Sequence, residues 1–198
     1  MSEYVANEAI AEERKVQRKG GIRGRDGLGK EVRAEYSRRI VERIVESEAF
    51  KKAEIIFSYR AVKGEVSLEL LEEKAAALGK RIAYPLCIGP GQMIALIPAA
   101  DGGWVPGAFN ILEPCRETAE EIPPEKLDLL LCPCSSFDEE CNRMGMGGGY
   151  YDRYLPRCVN AVITAVAFEA QKSDKIAMEP WDEPVQGVFT EERTYGNI

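Results

Sequence analysis

The segment Leu127-Asp128-Leu129-Leu130-Leu131-Cys132 has almost no polar side to offer water, so as a strand it must be covered on both faces. Ile55-Ile56-Phe57 and residues 161–168 have the same character, while the stretches between them repeat with a helical period. Tyr36, Ile40 and Ile44, with Val41 and Val45, fall on one helix face. Leu68, Leu71, Ala75 and Leu78 fall on another, with Ser67 placed to cap that helix and Gly79 to end it. Residues 81–84 read as the next strand, stopped by Pro85, and residues 93–97 as one more. A Gly/Pro-rich excursion follows at Asp101-Gly102-Gly103-Trp104-Val105-Pro106-Gly107. Strands separated by helices pair in parallel through crossover connections. The expected fold is α/β: a single three-layer domain over residues 1–198, with a central, mostly parallel sheet flanked by helices. A helical N-terminal segment, about residues 1–48, should lie on that core. Its composition is helical over residues 8–19, after which Gly20, Gly21, Gly24, Gly27 and Gly29 each weaken a continuation by about 1 kcal/mol.

Directly after the apolar strand comes Asn142-Arg143-Met144-Gly145-Met146-Gly147-Gly148-Gly149-Tyr150-Tyr151-Asp152-Arg153-Tyr154-Leu155. Glycines here allow positive φ and expose backbone N–H groups, and a helix opening at Tyr150 aims its positive end at the same space. This is an anion cradle with a cation on each side, Arg143 and Arg153, and a possible metal ligand in Asp152. It lacks the Gly-Lys-Ser/Thr of a Walker A loop and the G-x-G-x-x-G spacing of a dinucleotide fold. Its place between a strand and a helix is where open α/β sheets bind ligands.

The formal net charge of −7 excludes a general binder of nucleic acid or of anionic membranes, so any anion site must be local. No segment approaches the roughly 20 apolar residues of a membrane span, and the acidic N-terminus lacks a signal-peptide core. A cytoplasmic protein with six reduced cysteines is therefore expected. The spacing of Cys132, Cys134 and Cys141 is not a zinc pattern. The chain contains no histidine, which excludes Ser-His-Asp, Cys-His and histidine-ligated metal chemistry within it. Catalysis is left to carboxylates, Lys, Arg, Tyr, Cys, backbone amides or an oxygen-ligated metal.

The glycine-rich segment resembles the N-R-L-G-x-G-x-G-Y-Y-D-R-[YF]-L signature of the 5-formyltetrahydrofolate cyclo-ligase family, also called methenyltetrahydrofolate synthetases. Lys15-x-x-Arg18 resembles the family's N-terminal basic motif, and Gly64-Glu65-Val66 its element after the first strand. Phe109-Asn110-Ile111-Leu112-Glu113-Pro114 is similar to its F-x-I-x-E-P turn, Phe137-Asp138 to its F-D pair, and Ala167-Phe168-Glu169-Ala170-Gln171 to its later strand end. The resemblance implies ATP-dependent cyclisation of 5-formyltetrahydrofolate to 5,10-methenyltetrahydrofolate, with ADP and phosphate released, by a monomer that uses Mg²⁺. It implies catalytic roles for Lys15, Arg143 and Tyr151. ATP would meet Lys15, Arg18, Arg143, Met144, Gly145 and Met146, and then Gly147, Gly148, Gly149, Tyr150 and Tyr151. The folate would meet Arg60, Glu65, Met146, Gly147, Gly148, Gly149 and Tyr150, and Asp152 would hold the metal.

The chain departs from the family pattern in the glycines after Lys19, which replace helix formers, and in three further places. Gln186 stands where a second metal-site carboxylate is common, and Cys141 and Cys134 stand where glycine is usual. The Gln186 substitution keeps a second reading open, a non-catalytic homologue that binds nucleotide or folate.

Overall fold

The computed structural model describes residues 2–100, 103–107 and 111–198, with side chains from residue 8 onward. Asp101, Gly102, Phe109 and Asn110, named above in the Gly/Pro-rich loop and the F-x-I-x-E-P turn, lie outside the described residues. Helices α1 (Ser2–Gly27), α2 (Lys30–Glu46) and α3 (Glu48–Lys52) precede strand β1 (Ile55–Phe57), helix α4 (Glu69–Ala77) and strands β2 (Arg81–Gly89) and β3 (Gln92–Ile97). Short strands β4 (Trp104–Pro106), β5 (Leu112–Pro114) and β6 (Glu120–Ile122) lead to β7 (Leu129–Pro133), β8 (Ser136–Phe137) and β9 (Arg143–Met144). Helix α5 (Tyr150–Tyr154) and strands β10 (Val162–Val166), β11 (Gly187–Phe189) and β12 (Thr194–Gly196) complete the chain.

Eight strands form the main sheet in the order β12-β11-β10-β7-β1-β2-β3-β6. From β11 to β2 every neighbouring pair is parallel, and the antiparallel pairs lie toward the two edges. The apolar run is the central strand β7, and its alternation serves both faces. Leu129 and Leu131 pack with α2 and α4 residues such as Ile40, Ile44 and Leu71, whereas Leu130 and Cys132 pack with Phe57, Tyr154 and Leu155. Asp128, the polar exception in the run, accepts the N–H groups of Glu54 and Ile55 at 2.9 and 2.8 Å and so anchors the start of β1. All six cysteines are unpaired thiols. Among the described residues no helix is long and apolar enough to cross a membrane.

Three local expectations are corrected. The glycines after Lys19 do not end the first helix, because two of them are what lets it dock. A Cβ on Gly21 would lie 2.0 Å from the Ser135 carbonyl oxygen, and one on Gly24 would lie 2.0 Å from that of Ala170. Backbone contact on the sheet-end loops offsets the lost helix propensity. Pro85 does not stop β2, which runs on to Gly89 while exchanging partners: residues 81–83 pair with β1, and Tyr84 onward pairs with β3. Since β1 ends at Phe57, no described strand pairs with that side of β2 beyond Ala83, and a missing N–H is tolerated there. Leu78 is 62 % exposed, since α4 stops at Ala77 and the chain turns away through Gly79 at φ 70°.

Candidate active site

Where β7 ends, the chain passes through Cys134 and Ser135 into the small β8–β9 hairpin. Asp138, almost fully buried, holds this turn by accepting the N–H groups of Glu140, Asn142 and Ile176 and the Asn142 side-chain amide, at 2.9 to 3.0 Å. Cys141 sits there at φ 64°, a left-handed conformation that explains why glycine suits the position. The hairpin delivers Arg143 inward. Its buried guanidinium donates to Asp152 Oδ1 at 2.8 Å and lies 5.7 Å from the centre of the Tyr151 ring.

Past Met144 the loop turns through Gly147 at φ 95° and Gly149 at φ 63°, conformations that side chains rarely adopt. Among the described residues, no hydrogen bond engages the N–H groups of Gly147, Gly148 or Gly149. The carbonyls of Gly148 and Gly149 are engaged by Arg153, whose Nη1 donates to them at 3.1 and 3.0 Å. Helix α5 is only five residues long, so the loop amides, rather than a long helix dipole, supply the local positive potential.

The loop forms one side of a cavity of about 960 Å³ at the C-terminal end of the parallel strands. Helix α1 forms another side through Arg14 and Arg18, one turn apart on one face. Arg14 is neutralised by the neighbouring loop: it donates to Asp182 and to the Ala177 carbonyl, and lies 3.2 Å from Glu179. Arg18 donates to the Gly145 carbonyl at 2.9 Å and has no carboxylate partner among the described residues. Burial, reinforced by the charge of Arg14, lowers its pKa below the ordinary value. Pro85, Cys87, Met93 and Ile111 add apolar side chains to the wall. Glu65 stands in the wall as well, with its carboxylate accepting the Val62 N–H at 3.0 Å and lying 3.9 Å from the buried Arg25. Burial raises the Glu65 pKa above its ordinary 4.5, while Val62, Arg25 and Lys63 oppose the shift. The phenol of Tyr151 is likewise pushed well above 10 by burial, so it stays protonated at neutral pH.

The model of the 5-formyltetrahydrofolate cyclo-ligase family matches residues 11–191, nearly the whole chain. The chain belongs to that family. It is 27 % identical over 175 residues to the 5-formyltetrahydrofolate cyclo-ligase of Escherichia coli K12, covering 86 % of this chain and 96 % of that protein. It is 26 % identical over 183 residues to the mouse protein of the same name, covering 83 % and 87 %. The solved structure of Aquifex aeolicus 5,10-methenyltetrahydrofolate synthetase superimposes with a TM-score of 0.82 at 29 % identity, over 92 % of each chain.

Within this cyclo-ligase fold, the structure gathers Arg18, Glu65, Arg143, Gly145 and Met146 around one cavity, together with Gly147 to Gly149, Tyr150, Tyr151 and Asp152. Lys15 is not in the described wall; its ammonium lies on the exposed side of α1, 3.1 Å from Glu12. Arg60 is also outside it, ion-paired to Glu72 at 3.0 Å and stacked 4.2 Å from the Trp104 ring centre. The Met144 side chain is in the core, and its carbonyl accepts the N–H and hydroxyl of Ser135. Gln186 is exposed at the start of β11, where its side-chain oxygen accepts the Ile163 N–H at 2.6 Å. Arg14 was missed from sequence. An i, i+4 reading of Arg14 with Arg18 finds the face that lines the cavity, whereas the i, i+3 partner Lys15 points to a different face.

Proposed function

We propose that this chain catalyses the ATP-dependent closure of 5-formyltetrahydrofolate to 5,10-methenyltetrahydrofolate. The observation that carries the reading is the opposition, inside one cavity, of Arg18 without a carboxylate partner and a glycine loop whose N–H groups are unengaged. A cation without an ion pair beside open amides suits a polyphosphate far better than an apolar or cationic ligand.

In this reading the triphosphate lies between α1 and residues 145–149, and the reduced folate lies along Pro85, Met93 and Ile111 with its polar groups toward Glu65 and Tyr151. The formyl oxygen attacks the γ-phosphorus, ADP departs, and the formyl carbon becomes an iminium phosphate. Attack of N10 on that carbon, with loss of its proton, then expels phosphate carrying the former formyl oxygen. Arg143, fixed by Asp152 and set against the Tyr151 ring, stabilises charge on the transferring group, while Arg18 and the loop amides hold the phosphates in line.

Hard oxygen donors in the wall fit Mg²⁺, with Asp152 as the protein ligand. Among the described residues no group of three or more His, Cys, Asp or Glu is arranged to hold a metal alone, so Asp152 would hold the ion together with phosphate oxygens and water. Bound there, the ion supplies neutralisation of phosphate charge. Gln186 favours a second reading, nucleotide or folate binding without turnover, because its amide is committed to the β10 backbone and adds no charge to the cavity. An oxygen-18 label in the formyl group separates the two. Labelled phosphate is expected from turnover; unlabelled phosphate would rule out the phosphorylated intermediate, and binding without product would favour the second reading.

A further inference from the structure

Trp181 is one of two tryptophans in the chain; it lines the cavity and is 60 % exposed. Among the described residues no aromatic ring or cation stacks on it, in contrast to Trp104, which is held between Arg60 and Tyr84 at 4.2 and 4.8 Å. Its neighbour Asp182 fastens the loop to Arg14, one helical turn before Arg18, and Arg18 in turn contacts the glycine loop. Contacts thus lead around the cavity wall from the Trp181 loop through Arg14 and Arg18 to the glycine loop. A ligand whose phosphates occupy the Arg18 end has its other end beside Trp181.

We propose that Trp181 is the stacking platform for the purine base of the nucleotide, and so a specificity-determining residue of this site. This rests on the nucleotide reading above. Glu179, Asp182 and Glu183 share the Trp181 end of the wall. Glu179 and Asp182 are ion-paired with Arg14, so with Glu183 this end keeps a net negative charge that opposes the anionic glutamate tail of a folate, while carboxylate oxygens can accept hydrogen bonds from an exocyclic amine or the ribose hydroxyls of a neutral nucleoside. An exposed indole offers such a base a large π-face.

The test compares ATP with inorganic tripolyphosphate, which carries similar charge and no base, by calorimetry on the wild-type protein, Trp181→Ala and Trp181→Phe. Trp181→Ala should weaken ATP about tenfold and leave tripolyphosphate unchanged, with Trp181→Phe close to wild type, as expected for a single base on a single ring. Equal weakening of both ligands, no weakening of either, or selective loss of 5-formyltetrahydrofolate binding would overturn the assignment. Failure of the wild-type protein to bind ATP would instead overturn the nucleotide reading beneath it.

Discussion

Gly21 lies against Ser135 so closely that a Cβ at its position would sit 2.0 Å from the Ser135 carbonyl oxygen. This contact seats the helix carrying Arg14 and Arg18 on the loop that leads into Arg143. Its immediate neighbour in sequence, Gly20, points elsewhere, and an added Cβ there meets nothing within 4 Å.

The two glycines should respond to alanine with opposite signs. Gly20→Ala gains helix propensity and should stabilise by about 0.5–1 kcal/mol. Gly21→Ala gains the same propensity but overpacks, costing roughly 1–3 kcal/mol, and tilts Arg18 away from the loop. Thermal denaturation and ATP KM should show a lower Tm and weaker ATP use for Gly21→Ala alone; equal responses would contradict the docking role.

Arg18→Ala should raise ATP KM roughly 10- to 100-fold, the worth of a hydrogen bond to a charged group in a partly buried site. Lys15→Ala should change it by less than about twofold, because an exposed ion pair contributes little. Steady-state kinetics at varied ATP decide the matter, and the reverse ranking would restore Lys15 to the phosphates.

Asp152→Asn keeps an oxygen for Arg143 to bind but removes the formal charge offered to a cation. The Mg²⁺ concentration needed for half-maximal ADP binding should rise about tenfold, with folate affinity little changed. Calorimetry across a magnesium titration measures both, and an unaltered magnesium requirement would remove Asp152 from the metal.

Glu65 should impose a pH signature on stability. Burial raises its folded-state pKa above its ordinary 4.5, so between those two values the folded protein binds more protons than the unfolded chain. Stability then falls as pH rises through that window. Glu65→Gln should flatten this slope while weakening 5-formyltetrahydrofolate binding. Urea denaturation at several pH values above 4.5 would disprove the assignment if the slope persisted unchanged.

The sheet was legible because β7 and β1 are too apolar to be anything but covered strands, and the glycine loop because four glycines beside Arg143 and Asp152 leave few alternatives. Less visible was anything set by contact between distant segments. Gly21 and Gly24 look like helix breakers until Ser135 and Ala170 come to rest on them. Pro85 looks like a strand end because sequence does not reveal that β1 is too short to need its N–H. Arg14 was passed over in favour of Lys15 because composition does not show which face of α1 meets the 177–183 loop. The role of Arg60 as a partner of Glu72 and Trp104 likewise depends on a fold-level encounter.

The central claim is tested most directly by mixing purified protein with 5-formyltetrahydrofolate, Mg²⁺ and ATP while following the near-ultraviolet absorbance of methenyltetrahydrofolate and the ADP released. The account predicts product only when ATP is present, with one ADP for each molecule of product formed in the stoichiometry of the proposed reaction. Absence of product from an ATP-binding protein, or product formed equally well without ATP, would contradict it.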